Sequence, residues 1–179
     1  MHVVLLAVVS LDGCLTRHTA TGAGGLSSPA DAAHFRSVLA TCDASICGRP
    51  TYLGERDTVL AAAKSGASSR RRVVMTRTPA DLAADLVPGL LEFTAAPPAS
   101  ILDDLRADGR QRVAILGGGQ IYNLFLQQNL VDELSLTVEA RVFGVGTRFA
   151  GDSNPIDPRL VLQEVSQIGP NTILLTLRA

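Results

Sequence analysis

The sequence has no tryptophan, and aromatic residues make up only 4% of its 179 positions. Proteins that bind single-stranded nucleic acids stack the bases on such side chains, so this composition argues against that function. Neither sign of charge is in excess, since 16 Lys and Arg face 17 Asp and Glu. Without a global electrostatic field, neither nucleic acid nor an anionic membrane surface is an expected partner.

Cysteine and histidine are also scarce, with three of each. Cys14, Cys42 and Cys47 match no metal-binding or redox spacing, so we expect no metal site. Such cysteines pack as small hydrophobic residues, which suits the reducing cytoplasm. Long apolar runs are lacking too. No segment approaches the ~20 residues of a membrane span, and the short run 3–9 predicts a first core strand rather than a signal peptide.

What the sequence does contain is an alternation of strand and helix signals, followed by strands alone. This order predicts one α/β domain over residues 1–179, with a mostly parallel sheet, helices on its faces and an antiparallel C-terminal hairpin. Strict alternation of polar and apolar residues over 133–142 predicts an antiparallel-type strand with one polar face. The predicted strands are residues 3–9, 43–47, 73–75, 90–93, 113–116, 134–142, 160–168 and 172–178.

The first helix has a well-defined start. Ser28 suits the N-cap, Pro29 suits the first helical position, and Asp31 stands where an acid can close a capping box. Apolar residues follow at i, i+3, i+4 and i+7 from Phe35, which indicates an amphipathic helix. Two further helices are predicted, one after Pro97-Pro98 and one after the glycines at 117–119.

Three other stretches are interpreted as surface. Residues 14–26 are rich in Thr, Gly and Ala, and are expected to form a mobile loop that could act as a lid. Residues 54–72 show no clear period and are predicted to be irregular. The three arginines at 70–72, which end this stretch, are interpreted as a solvated entrance to the next strand.

Residues 113–122 have the pattern of a buried strand, a glycine turn and a helix start. A helix N-terminus offers free N–H groups and a partial positive charge, and glycines allow an anion to approach the backbone closely. A tight turn without a ligand would contain the same glycines.

Two more turns carry arginine after a predicted strand, at Gly48-Arg49 and at Thr76-Arg77. In sheets of this kind ligands bind beyond the carboxyl ends of the strands. We therefore predict that the two arginines and the glycine turn share one ligand with several phosphates.

In this order, the motifs resemble the dihydrofolate reductase-like superfamily. They are most similar to stand-alone relatives of the C-terminal reductase domain of the bifunctional riboflavin-biosynthesis deaminase-reductase. The resemblance covers nearly the whole chain and implies a three-layer fold, NADPH as hydride donor and a homodimer. The segments that carry it are Ser10-Leu11-Asp12-Gly13, Gly48-Arg49-Pro50-Thr51, Val74-Met75-Thr76-Arg77, and residues 117–122 and 130–134.

The resemblance also assigns cofactor contacts. Arg77 matches a position that meets the adenosine 2′-phosphate, and a cis bond is expected between Gly117 and Gly118. The cofactor-binding residues implied in this way are Gly48, Arg49, Thr51, Thr76, Arg77, Gly117, Gly118, Gly119, Gln120 and Ile121.

On the substrate side, reduction of a polar C=N bond needs a proton donor. Asp31 matches the acid of dihydrofolate reductases, with Phe35 one turn further as a substrate contact and Thr137 as a supporting threonine. Asp31 could equally be only the capping-box partner of Ser28. Asp12 is the other carboxylate candidate, because the riboflavin-pathway reductases carry Ser-Leu-Asp-Gly after their first strand.

The implied activity is NADPH-dependent reduction of a small nitrogen heterocycle, first of all 5-amino-6-(5-phosphoribosylamino)uracil. Dihydrofolate is the alternative substrate. Leu116 stands where the pathway reductases carry glutamate, whereas the loop 14–27 lacks the tryptophan common in dihydrofolate reductases. A third hypothesis is that the protein is not an enzyme and binds NADP without catalysing a reaction.

Overall fold

The computed structural model describes residues 1–17, 25–66, 68–150 and 158–179. No helix within these ranges is long and apolar enough to cross a membrane. The strands are β1 (His2–Ser10), β2 (Cys14–Arg17), β3 (Ala44–Gly48), β4 (Arg71–Met75), β5 (Leu91–Thr94), β6 (Arg112–Ile115), β7 (Glu133–Glu139), β8 (Gly146–Arg148), β9 (Val161–Gly169) and β10 (Thr172–Arg178). The helices are α1 (Pro29–Ala40), α2 (Arg49–Gly54), α3 (Arg56–Lys64), α4 (Pro98–Ala107) and α5 (Gly119–Gln127), with a 3₁₀ helix at Pro79–Asp85.

Eight strands form the main sheet, in the order β5-β4-β3-β6-β1-β7-β10-β9. Neighbouring strands from β5 to β7 are parallel, whereas β10 is antiparallel to both β7 and β9. The hairpin of β9 and β10 turns at Gly169–Thr172, as the glycine and proline there predicted. The predicted α/β class, mostly parallel sheet and antiparallel C-terminal hairpin are therefore confirmed.

Helices cover both faces of the sheet, which gives three layers. Along β1, Val3 and Leu5 pack into the cluster that includes α4 and α5, while Val4 and Leu6 pack against α1. On the α1 side, α2 and α3 cover β4 through a second cluster around Tyr52. Alternate residues of a strand point to opposite faces, so a continuous apolar run is buried on both sides.

The prediction that residues 54–72 are irregular was wrong. Residues 56–64 of this stretch form α3, and the arginines at its end are not a solvated entrance. Arg70 donates to the carbonyls of Leu39 and Cys42 at the end of α1, at 2.8 and 3.2 Å, and Arg72 is only 8% exposed. The carbonyls at a helix C-terminus lack intrahelical partners, and here a guanidinium supplies donors.

Two other expectations need correction. Residues 14–17 of the expected loop form β2, which pairs with β8; residues 18–24, where the proposed lid would lie, are outside the described ranges. The alternating segment ends at Glu139, and β7 is parallel to β1 although antiparallel to β10. Its polar face is not solvated: Ser135, Thr137 and Glu139 are buried. Alternation shows that a strand has two unlike faces, but not which element covers each face.

Candidate functional site

The three turns selected from the sequence lie side by side. They follow β4, β3 and β6, which are consecutive in the sheet. The Gly48 N–H donates to the Gly117 carbonyl at 2.7 Å, and the Leu116 N–H donates to the Ile46 carbonyl at 2.8 Å. These bonds join the glycine turn to the end of β3, so an elongated ligand could lie across all three turns.

Where the glycine turn begins, at Gly117, and where it meets Gly48, there is no room for a side chain. The Gly117–Gly118 peptide bond is cis, as the resemblance implied, and Gly117 has a φ of +96°. A Cβ on Gly117 would lie 2.7 Å from the Tyr122 hydroxyl, which donates to the Leu6 carbonyl at 2.6 Å. A Cβ on Gly48 would lie 2.9 Å from Cγ1 of Ile121, which explains glycine at that position as well.

The N-terminus of α5 opens at this turn. Gly118 is its N-cap, and no side chain of the described residues caps it. The Gly118 carbonyl accepts from the N–H groups of Ile121 and Tyr122, at 2.9 and 3.1 Å. The N–H groups of Gly119 and Gln120 precede these in the first turn of the helix, where intrahelical acceptors are missing. This geometry suits the binding of an anion such as a pyrophosphate.

The pairing of β1 with β6 stops before the glycine turn, and the place beyond Leu5 where β1 has no strand on this side is here called the gap. β1 pairs with β6 from His2 to Leu5, and with β7 from Val4 to Ser10. The carboxyl half of β1 therefore has β7 on one side and the glycine turn on the other. The Tyr122 hydroxyl donates to the Leu6 carbonyl at this point, beside the candidate anion site.

Asp31 lies at the start of α1 and is only 6% exposed. Its N–H donates to the Ser28 hydroxyl at 3.2 Å, but the Ser28 N–H donates to Glu139 of β7 at 3.0 Å instead of to Asp31. The capping box is thus completed by a distant residue. The Asp31 carboxylate accepts a hydrogen bond from the Ser27 hydroxyl at 2.5 Å and takes no part in capping the helix.

The surroundings of Asp31 connect it to the glycine turn. Burial raises the pKa of the Tyr122 hydroxyl, and the charge of the nearby Asp31 carboxylate raises it further. Thr137 is 1% exposed on the face of β7 that α1 covers. On either side of Thr137, Ser135 contacts His34 and Glu139 contacts Ser28. In the chain, Asp31 lies midway between Ser28 and His34. Thr137 and Asp31 therefore lie close along their two elements.

Asp12 has a different environment. Its carboxylate accepts from the Ser10 hydroxyl at 2.6 Å, from the Phe143 N–H at 3.1 Å and from the Gly144 N–H at 2.7 Å. Hydrogen bonds to the charged form stabilise it, and they lower the pKa of Asp12 to about 2. A carboxylate of this kind ties two loops together and holds no proton near neutral pH.

The two arginines also differ. Nη1 of Arg49 donates to the Thr78 hydroxyl at 2.8 Å and to Asp81 at 3.1 Å. Arg77 is exposed, and its side chain makes no hydrogen bond or ion pair within the described part of the chain. The neighbouring Thr76 accepts from the Thr78 N–H at 3.2 Å. Arg77 is therefore the guanidinium that is available to a ligand.

Phe35, Thr51 and Gln120 complete the predicted set. Phe35 packs with Val4 and Leu6 under α1, so its ring contributes to the core. Gln120 is exposed at the start of α5, and the Thr51 hydroxyl is 3.7 Å from where a Cβ on Gly118 would stand. Their predicted contacts with substrate and cofactor stay predictions.

Sequence reasoning missed two polar residues beside the candidate acid. Ser27 had no signal beyond its position before the N-cap. Glu139 belonged to the alternating polar face, and only its place next to Ser28 in the fold gives it a role. Among the described residues, no group of three His, Cys, Asp or Glu could hold a metal ion.

The sequence and the fold were compared with known proteins. Residues 1–174 match the family model described as the RibD C-terminal domain. No curated protein sequence matches the chain. Among solved structures, a pyrimidine reductase-like protein from Corynebacterium diphtheriae is 18% identical, with a TM-score of 0.77 over 99% of this chain and 91% of that one.

Two longer proteins of known structure have the same fold over part of their length. RibD from Acinetobacter baumannii is 21% identical with a TM-score of 0.77, and 99% of this chain covers 57% of it. A diaminohydroxyphosphoribosylaminopyrimidine deaminase/5-amino-6-(5-phosphoribosylamino)uracil reductase from Thermotoga maritima is 16% identical with a TM-score of 0.73, and 99% of this chain covers 56% of it. The chain thus spans little more than half the length of these two proteins.

Proposed function

Because the chain belongs to the family of RibD C-terminal domains, we propose that it is an NADPH-dependent reductase of a small nitrogen heterocycle. The most direct candidate substrate is 5-amino-6-(5-phosphoribosylamino)uracil, because this compound appears in the name of the Thermotoga relative. The observation that carries the proposal is the meeting of the three turns, joined by the bond from Gly48 to Gly117 at 2.7 Å. It provides an anion site next to a gap in the sheet and a buried acid.

The residues present fit the cofactor. The uncapped N-terminus of α5 would hold the pyrophosphate, Arg77 would meet the 2′-phosphate, and Thr51 and Thr76 add hydroxyl groups at the same sheet edge. NADPH supplies the hydride when it is bound. The chain positions the reactants and excludes water from them.

Asp31 is the proton donor in this proposal. When a C=N bond is reduced, the carbon gains a hydride and the nitrogen gains a proton, so an acid must face the nitrogen. Asp31 is a buried carboxyl group at the start of α1, whereas the buried Glu139 is taken up by Ser28 and Thr172. The Asp12 carboxylate is held by Ser10, Phe143 and Gly144, whose hydrogen bonds lower its pKa to about 2. The exposed hydroxyl of Ser27 contacts Asp31 at 2.5 Å and links it to solvent for reprotonation.

The test is NADPH oxidation with a panel of 5-amino-6-(5-phosphoribosylamino)uracil, dihydrofolate and a quinone. We expect turnover with the pyrimidine, and Arg77→Ala should weaken NADPH binding about tenfold because a charge-assisted contact to phosphate is lost. Arg106→Ala, at an exposed guanidinium of α4, is the matched control and should bind NADPH normally. If no compound of the panel oxidises NADPH although NADPH binds, the non-catalytic hypothesis replaces this one.

We also propose that the protein is a homodimer. Leu162 and Val165 of β9 and Ile173 of β10 are 54%, 56% and 41% exposed, and the strand register puts them on one face of the sheet. Contiguous exposed apolar side chains mark interaction surfaces, and closed two-fold dimers are the commonest assemblies. In analytical ultracentrifugation, Val165→Glu should shift the protein to monomer, whereas Glu164→Gln on the opposite face should not. A wild-type protein that sediments as a monomer at micromolar concentration would contradict the dimer.

The proposed location is the cytoplasm. Cys14, Cys42 and Cys47 are all free, and Cys14 and Cys42 are buried. Unpaired cysteines that serve as packing residues are typical of reducing compartments.

A further inference from the structure

A charged network lies where β3 and β4 end. Asp81, in the 3₁₀ helix, accepts from Arg49 at 3.1 Å and from the Thr78 hydroxyl at 2.7 Å, while Arg49 also donates to Thr78 at 2.8 Å. The Thr78 hydrogen bond, followed by the bond and the charge of Arg49, lowers the pKa of Asp81. Asp81 is therefore an ionised carboxylate, and it is paired with Arg49, one of the two arginines expected to bind phosphate.

The topology assigns this network to one end of the bound cofactor. The pyrophosphate site follows β6, and the candidate acid and the gap lie on the β1 side of it. The nicotinamide end must face that gap. The adenosine end then extends the other way, over β3 and β4, where a pocket lined by Arg49, Pro50, Leu53 and Gly54 lies next to the network. In this orientation Asp81 and Arg77 would stand near the adenosine ribose.

We propose that Asp81 determines how strongly this site distinguishes NADPH from NADH, and that it keeps this preference small. The inference rests on the proposed function and deepens it. A carboxylate beside the adenosine ribose accepts hydrogen bonds from the 2′-hydroxyl of NADH. A 2′-phosphate at the same place meets a like charge, and Asp81 withholds Arg49 from it. Among the described residues of the three turns, Arg77 supplies a positive charge that no acidic side chain compensates.

The experiment measures dissociation constants by calorimetry for NADPH, NADH, 2′,5′-ADP and 5′-ADP, with wild type and Asp81→Asn. The short nucleotides report the adenosine end without any turnover. A single charge pair near the surface corresponds to about five- to tenfold in affinity. Asp81→Asn should therefore tighten 2′,5′-ADP and NADPH about five- to tenfold, and should leave 5′-ADP and NADH unchanged or weaker.

The matched control is Asp103→Asn, because Asp103 is also an exposed aspartate paired with an arginine, Arg106, at 2.6 Å. It should change none of the four constants. An unchanged ratio of the 2′-phosphorylated to the unphosphorylated ligands in Asp81→Asn overturns the inference, and so does an equal weakening of all four. If wild type binds neither NADPH nor NADH, the proposed function and this inference are both wrong. If wild type binds them but Asp81→Asn leaves the ratio unchanged, only this inference is wrong.

Discussion

Replacing Asp31 by Asn is expected to lower kcat for the pyrimidine substrate about 10²- to 10⁴-fold, the usual contribution of a positioned general acid. The amide keeps the shape of the side chain and can still contact Ser27, but it supplies no acidic proton. NADPH affinity should not change, because the proposed cofactor site lies at the glycine turn and the arginines. Steady-state kinetics and a fluorescence titration of NADPH separate the two effects.

The same substitution at the other carboxylate discriminates between the two candidates. Asp12→Asn should keep kcat and lower the free energy of unfolding near neutral pH instead, with the difference from wild type shrinking as the pH falls toward 2. The pKa of Asp12 is about 2 in the folded protein, against 3.8 for an unperturbed aspartate. The ionised side chain thus stabilises the fold above pH ~4, and this contribution is lost as the pH falls toward 2. Full activity in Asp31→Asn together with a large loss in Asp12→Asn would reverse our assignment.

Replacing Gly117 by Ala is expected to lower the free energy of unfolding by about 2–5 kcal/mol. Left-handed backbone costs a side-chain-bearing residue about 1–2 kcal/mol, and an overpacked methyl group adds about 1–3 kcal/mol. At Gly117 the φ is +96°, and the added Cβ would lie 2.7 Å from the hydroxyl of Tyr122, whose ring is held by the Leu6 carbonyl. Urea denaturation monitored by circular dichroism measures the loss.

Gly118 provides the matched control one residue further. Its φ is −77°, which any residue can adopt, and an added Cβ would have the Thr51 hydroxyl as its nearest neighbour at 3.7 Å. The free energy of unfolding of Gly118→Ala should therefore lie within about 1 kcal/mol of the wild-type value. Equal destabilisation by the two substitutions would show that contact with Tyr122 does not explain the glycine at 117.

Local features were predictable because they depend on near neighbours in the chain. Ser28 and Pro29 start α1 as predicted, and the run after Ile115 makes a strand, a glycine turn and a helix. The alternation of elements also predicted the sheet class. The family resemblance added the cis bond at Gly117–Gly118, which periodicity alone does not reveal.

Side-chain partners were not predictable in the same way, because they come from distant segments. Asp12 and Asp31 looked like equal candidates, but Asp12 meets Phe143 across 131 positions of sequence. Ser28 looked like the capping partner of Asp31, but its N–H meets Glu139 across 111 positions. Arg49 looked like a free cation until the fold placed Asp81 beside it.

The amino-acid sequence by itself determined the strands of the main sheet, three of the helices, the glycine turn and the family, since spacing and backbone preference act over a few residues. Only the tertiary structure decided which carboxyl group is buried at the start of α1, which one is held ionised by backbone N–H groups, and which guanidinium is available to a phosphate. These properties depend on neighbours that packing brings from other parts of the chain.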